Sequence, residues 1–291
     1  MTWVKICGIK SYQEALWAIE VGADALGFVF VPTSKRYISP EEAAQITYPL
    51  PPTVKAVGVF LNEKPEQVAA IAQKCSLDII QLHGQEKIED YMKISLPIIK
   101  ALSLSLEPSG NISLTNDESN DESNDESNDE SKNQSNIQRN KLSAKSPSIL
   151  TRAHGQPLTS SVPHKTSLDT PYEMDSTDLF APARKLLAHY QSSPTHRPWG
   201  ILLDAAIGKA VGGTGKTLPW HKEEFQKFIQ EIKSIYIPLI LAGGLSPENV
   251  QRAIHLTDPF GVDVSTGVEE QGRKSQRKIE EFIAKAKGHF I

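Results

Sequence analysis

Three residues able to move protons follow directly on short apolar runs, and a fourth lies one residue inside such a run. Cys7 follows Trp3-Val4-Lys5-Ile6, His83 follows Ile79-Ile80-Gln81-Leu82, Asp204 follows Gly200-Ile201-Leu202-Leu203, and Asp263 lies within Gly261-Val262-Asp263-Val264. Thiol, imidazole and carboxyl groups are common general acids and bases. An acid placed after four apolar residues is costly to bury unless it has a partner or a task. A free cysteine is ordinarily a small buried hydrophobe, but Gly8 after Cys7 and Lys5 two residues before it favour a reactive thiol. Cys75 lies at no strand end.

Two glycine-bearing segments supply a different chemistry. They are Ala242-Gly243-Gly244-Leu245-Ser246-Pro247-Glu248-Asn249 and Asp263-Val264-Ser265-Thr266-Gly267-Val268-Glu269. Glycines let backbone N–H groups approach an anion, and a following helix N-terminus adds its dipole. Together they predict a site for a phosphate monoester. Arg36, in Ser34-Lys35-Arg36-Tyr37, could clamp a carboxylate through its two-pronged guanidinium. Residues 210–217, Ala-Val-Gly-Gly-Thr-Gly-Lys-Thr, imitate a nucleotide-binding P-loop. A true P-loop starts a helix at its Gly-Lys-Thr, whereas Leu218-Pro219 follows here, so that reading is set aside.

The elements that must position these residues repeat. Apolar, often β-branched runs at residues 3–7, 25–31, 55–61, 78–82, 98–104, 199–204, 238–242 and 262–264 alternate with segments of helical spacing. Ser39-Pro40-Glu41-Glu42 is a typical helix start, and a shorter helix is expected over residues 86–94. Eight strands and eight helices predict a (βα)₈ barrel, in which chemistry gathers at the C-terminal ends of the strands and phosphate binds after strands seven and eight. A doubly wound sheet would carry a glycine fingerprint after its first strand, and Ile6-Cys7-Gly8-Ile9 has none.

One stretch breaks the pattern. Residues 107–175, between the fifth strand and its helix, contain Asn-Asp-Glu-Ser four times in tandem from Asn116 to Ser131. Such composition buries too little apolar surface to offset about 1 to 2 kcal/mol of ordering entropy per residue. A disordered insertion in a single barrel domain spanning 1–291 is expected, a tolerated expansion rather than a lid. This stretch holds 12 of the 35 acidic and 6 of the 31 basic residues. The rest of the chain therefore has 23 acids and 25 bases, without the basic excess that nucleic-acid binding needs. Two cysteines are too few for a disulfide scaffold. With no export signal and no apolar run of about 18 residues, a cytoplasmic protein with no membrane or nucleic-acid partner is expected.

Six ordered motifs resemble the phosphoribosylanthranilate isomerases of tryptophan biosynthesis: Val4-Lys5-Ile6-Cys7-Gly8-Ile9; Gly27-Phe28-Val29-Phe30 with residues 34–40; Gln81-Leu82-His83-Gly84; Leu202-Leu203-Asp204 with residues 212–217; residues 242–250; and residues 262–269. The resemblance implies an Amadori rearrangement without metal or cofactor, with Asp204 as general acid and Cys7 as base. It also implies that Arg36 engages the anthranilate carboxylate, that His83 and Asp263 line the site, and that Gly243, Gly244, Ser265, Thr266 and Gly267 cradle the phosphate. The phosphorylated small molecule would be the partner, bound by a monomer or homodimer. Leu218-Pro219, Thr266 and the insertion depart from the family's usual pattern. Two alternatives stay open at this point: the related isomerase of histidine biosynthesis, which carries aspartate where this chain has Cys7, and a barrel that binds a phosphometabolite without turnover.

Overall fold

Strand alternation decides which side chains meet the site. A computed structural model describes residues 1–106, 112–114, 180–206 and 217–288. Eight parallel strands run in chain order: β1 Trp3–Cys7, β2 Ala25–Val29, β3 Lys55–Phe60, β4 Ile79–Leu82, β5 Ile98–Leu106, β6 Gly200–Ala206, β7 Leu239–Leu241 and β8 Gly261–Val264. Each pairs with its neighbours and β8 pairs back onto β1, closing a barrel. Successive side chains point to opposite faces of a strand. Val4, Ile6, Leu26, Phe28, Leu203 and Val262 turn outward into a core shared with helix residues such as Ala15, Phe225 and Ile279. Ala25, Val57, Ile79, Ile99, Leu202 and Ile240 form a separate cluster inside the barrel.

The inward register also carries polar groups. Lys5 and Cys7 on β1, Gln81 on β4, Ser103 on β5, Asp204 on β6 and Asp263 on β8 are all buried. Lys5 stands beside Asp263, Cys7 beside Gly27, and Ser103 beside Asp204 in the ladders. At the opposite end, where the strands begin, Trp3, Trp199 and Phe260 pack edge to face, with Trp199 centred 6.1 Å from Trp3 and 5.7 Å from Phe260.

Seven α-helices wrap the described barrel: α1 Tyr12–Glu20, α2 Pro40–Thr47, α3 Pro65–Lys74, α4 Ala181–Ser192, α5 Glu223–Ser234, α6 Val250–Thr257 and α7 Gln276–Lys287. Ser39 and Glu42 close a reciprocal capping box at α2, with Pro40 in its first turn. Phe225, Phe228, Ile229 and Ile232 line the buried stripe of α5 at three- and four-residue spacing. Among the described residues, no helix is long and apolar enough to cross a membrane.

Two expectations need correction. The helix predicted over residues 86–94 is a single 3₁₀ turn, Ile88–Tyr91, so the described barrel has seven α-helices and not eight. Instead of opening a helix, the Glu86 carboxylate turns back to accept from the backbone N–H groups of Asn62 and Gly84 and to meet Lys100 Nζ at 3.2 Å. The stretch expected to be disordered also holds a short strand near its start. Ile112–Leu114 pairs antiparallel with the end of β5, Leu104 facing Leu114 and Leu106 facing Ile112, as the matching Leu-Ser-Leu and Ile-Ser-Leu alternation allows. The rest of 107–175 lies outside the described residues, as does the P-loop-like segment apart from Thr217.

Candidate active site

Cys7 ends β1 with Val29 and Val59 against one side. Its ladder neighbour Gly27 leaves room on the other: a Cβ there would lie 2.8 Å from Cys7 Sγ and 3.0 Å from Lys5 Cε. Thiol and lysine stem therefore converge on the space that this glycine vacates. Lys5 has no solvent exposure, and its Nζ donates to Asp263 Oδ1 at 2.8 Å. Burial pulls the amine down, but the Asp263 carboxylate and the Cys7 sulfur outweigh it and hold Lys5 above the usual lysine range. Burial pushes the Cys7 thiol up, Lys5 pulls it back, Asp263 adds to the rise, and Lys274 opposes it.

Asp204 lies on the inward face of β6, two residues before its end, close to His83, which follows β4. His83 Nε2 lies 3.4 Å from Asp204 Oδ2 but makes no hydrogen bond of proper geometry. The Gln81 amide Nε2 is 3.1 Å from His83 Nδ1. With that amide as donor, Nδ1 is the acceptor.

Asp204 and Asp263 line one cavity of about 260 Å³ together with Gly243, Gly244, Ser265, Thr266 and Gly267. Gly243 and Gly244 take φ of +79° and +66°, the left-handed region that glycine enters without penalty. Asn249 holds this turn, its Oδ1 accepting from Ser246 N–H at 2.9 Å and its Nδ2 donating to the Gly244 carbonyl at 2.8 Å. The loop after β8 packs against it so closely that a Cβ on Gly267 would overlap the Leu245 carbonyl. A larger cavity, of about 720 Å³, lies over β4 and β5 and is bordered by His83, Lys100 and Ser103. The smaller one is the better candidate, because both inward carboxyls and both glycine loops meet there.

Arg36 reaches the same rim and is already engaged. Its Nε and Nη2 donate to the two Glu269 carboxylate oxygens at 2.7 and 3.0 Å, and Nη2 donates to Thr266 Oγ1 at 2.7 Å. Lys274 Nζ, also buried, donates to Glu269 Oε1 at 2.9 Å and to the Ser265 carbonyl at 3.0 Å. Burial raises Glu269, but Arg36 and Lys274 outweigh it and hold the carboxylate below its usual range. The Ser265 hydroxyl donates to the Cys7 carbonyl at 3.0 Å, tying the loop after β8 to the end of β1.

A model of the N-(5′-phosphoribosyl)anthranilate (PRA) isomerase family matches residues 4–122 and 179–285. The chain belongs to that family. It is 40% identical over 288 residues to the N-(5′-phosphoribosyl)anthranilate isomerase of Desulfitobacterium hafniense, covering 99% of this chain and 98% of the relative. The crystal structure of phosphoribosylanthranilate isomerase from Thermotoga maritima superposes with a TM-score of 0.64 at 33% identity, over 99% of this chain and 100% of that one. Another solved phosphoribosylanthranilate isomerase, in complex with reduced 1-(o-carboxyphenylamino)-1-deoxyribulose 5-phosphate, has a TM-score of 0.61 at 32% identity, over 99% and 100% of the two chains. Membership of the PRA isomerases sets aside both the histidine-pathway alternative and the barrel without turnover.

Around this PRA isomerase site stand several groups that sequence reasoning did not single out as site residues. Lys5 was weighed only as a neighbour of Cys7, although residues two apart share a strand face. Glu269 and Lys274 come from one hairpin, Glu269–Glu270 against Arg273–Lys274, and no local pattern announces that Glu269 will meet Arg36 from 233 positions away. Gln81 lies two residues before His83 on the inward face, a spacing that could have paired them.

Proposed function

We propose that this site isomerises N-(5′-phosphoribosyl)anthranilate to 1-(2-carboxyphenylamino)-1-deoxyribulose 5-phosphate, a step of tryptophan biosynthesis. The observation that carries the reading is the single cavity lined by Asp204, Asp263 and both glycine loops, with Cys7 joined to its edge through Lys5 and Asp263. The phosphate sits in the cradle of Gly243, Gly244, Ser265, Thr266 and Gly267, which sets the sugar between β1 and β6. Asp204 gives a proton to the ring oxygen as the bond from C1 to that oxygen breaks, and the anthranilate nitrogen's lone pair forms the C1–N double bond. The Cys7 thiolate then takes the C2 proton. The electrons of that C–H bond become a C1–C2 double bond and the nitrogen regains its pair, leaving an enol that tautomerises to the ketone. Opening the ring needs a donor and forming the enol needs a base, so two groups from different strands divide the work.

Asp263 and His83 are assigned to the cavity wall. Arg36 is assigned to the anthranilate carboxylate, for which its present partner Glu269 is a chemical stand-in. The test follows the fluorescence of freshly made phosphoribosylanthranilate: the purified protein is expected to hasten its disappearance, and no acceleration at micromolar enzyme would sink the assignment. The aminoimidazole substrate of the histidine pathway is expected to remain unconverted in a parallel assay.

A single barrel domain interrupted by an insertion at 107–175 is the organisation we assign. The family match resumes at residue 179 after stopping at 122, in support of it. Long loops add little closure entropy, roughly 0.6 kcal/mol per doubling. Replacing residues 116–175 by a short linker, which spares the strand at 112–114, is therefore expected to leave kcat unchanged and Tm equal or higher. A collapse of kcat in a folded variant would make the segment a working part. Both cysteines are free, which suits the cytosolic setting we assign.

A further inference from the structure

The proposed mechanism needs a thiolate in a place that disfavours one. Cys7 is 8% exposed, Val29 and Val59 cover one side, and burial pushes its thiol up. Removing solvent from a charged sulfur favours the neutral form, which is a poor base. Something within reach must supply positive charge. The groups facing the sulfur are Lys5 from its own strand, Asp263 from β8, and Lys274 from the hairpin after β8. Lys274 is committed to Glu269 and to the Ser265 carbonyl. Lys5 is different: it is wholly buried, it has one carboxylate partner at 2.8 Å, and its stem shares with Cys7 Sγ the space above Gly27.

We propose that Lys5 is the positioning residue that offsets part of the cost of ionising the buried Cys7 sulfur, with its ammonium anchored by Asp263. The inference rests on Cys7 being the base. Lys5 itself makes no covalent change and transfers no proton; its charge offsets that of the sulfur in a setting where water is excluded and electrostatic interactions are strong. Gly27 is the enabling residue, since a side chain there would crowd both the sulfur and the lysine stem.

The experiment titrates the thiol directly. In a Cys75→Ser background, which leaves Cys7 the only sulfhydryl, thiolate absorbance near 240 nm is followed against pH for the parent and for Lys5→Met. The expected result is a thiol midpoint at least one pH unit higher in Lys5→Met, which corresponds to a tenfold smaller thiolate fraction at pH 7.5. A matching fall in kcat/KM at that pH should be regained as the pH is raised towards 10. Should Lys5→Met not fold with Asp263 left unpaired, Lys5→Met with Asp263→Asn removes both charges, and its thiol midpoint is compared with that of Asp263→Asn alone, above which it is expected to lie. An unchanged thiol titration in a folded variant overturns the proposal, as does a loss of activity equal at every pH. The titration reads Lys5 whether or not Cys7 takes the substrate's proton, whereas normal turnover in Cys7→Ser would remove the base and leave the titration standing.

Discussion

Cys7→Ser and Asp204→Asn are each expected to lower kcat by about 10² to 10⁴, the usual contribution of a general base or acid, while substrate still binds. The two substitutions remove different things. Serine keeps the size of the thiol but titrates far too high to serve as a base beside Lys5. Asparagine keeps the shape of Asp204 beside His83 Nε2, 3.4 Å away, but has no proton to give the ring oxygen. Their effects should therefore separate in a substrate that is already open-chain: the Asp204 variant regains rate, and the Cys7 variant does not. Single-turnover kinetics make the comparison at the chemical step. A kcat within twofold of the parent under those conditions would take the substituted residue out of the mechanism.

Gly267→Ala is expected to reduce kcat/KM by about 10² or more, chiefly through KM. Its added methyl overlaps the Leu245 carbonyl, so the loops after β7 and β8 must part, and both sides of the cradle move. A hydrogen bond to a charged group is worth about 1.5 to 3 kcal/mol, and displacing two backbone donors from a phosphate accounts for a loss of that size. Overpacking adds about 1 to 3 kcal/mol of lost stability, seen as a lower denaturant midpoint. Inorganic phosphate should protect the parent against thermal unfolding and fail to protect the alanine variant. Equal protection of both would move the phosphate elsewhere.

The barrel, and the placing of the candidate residues near its rim, were legible because strand periodicity is a strong local signal. Apolar runs of four residues ahead of Cys7, His83 and Asp204 placed Cys7 at the end of β1, His83 just past β4 and Asp204 two residues short of the end of β6, and two glycine segments in order marked the seventh and eighth strands. What could not be read locally depends on partners distant in the chain. Arg36 and Glu269 are 233 residues apart and Lys5 and Asp263 are 258 apart, so their pairing exists only once the barrel closes. The missing fourth helix has the same origin. Glu86 has the composition of a helix start, yet its carboxylate binds the backbone of Asn62 and Gly84 and the buried Lys100, and these tertiary contacts outweigh local propensity. Ile112–Leu114 was hidden by polar neighbours on both sides, although its own alternation matched β5.

Trp3, Trp199 and Phe260 cork the mouth where the strands begin. A molecule diffusing in must therefore come and go by one door, the rim that holds Asp204 and the glycine loops. Product has to vacate before the next substrate arrives, so occupancy of that vestibule, rather than any through-flow, governs how often the barrel turns over when product accumulates.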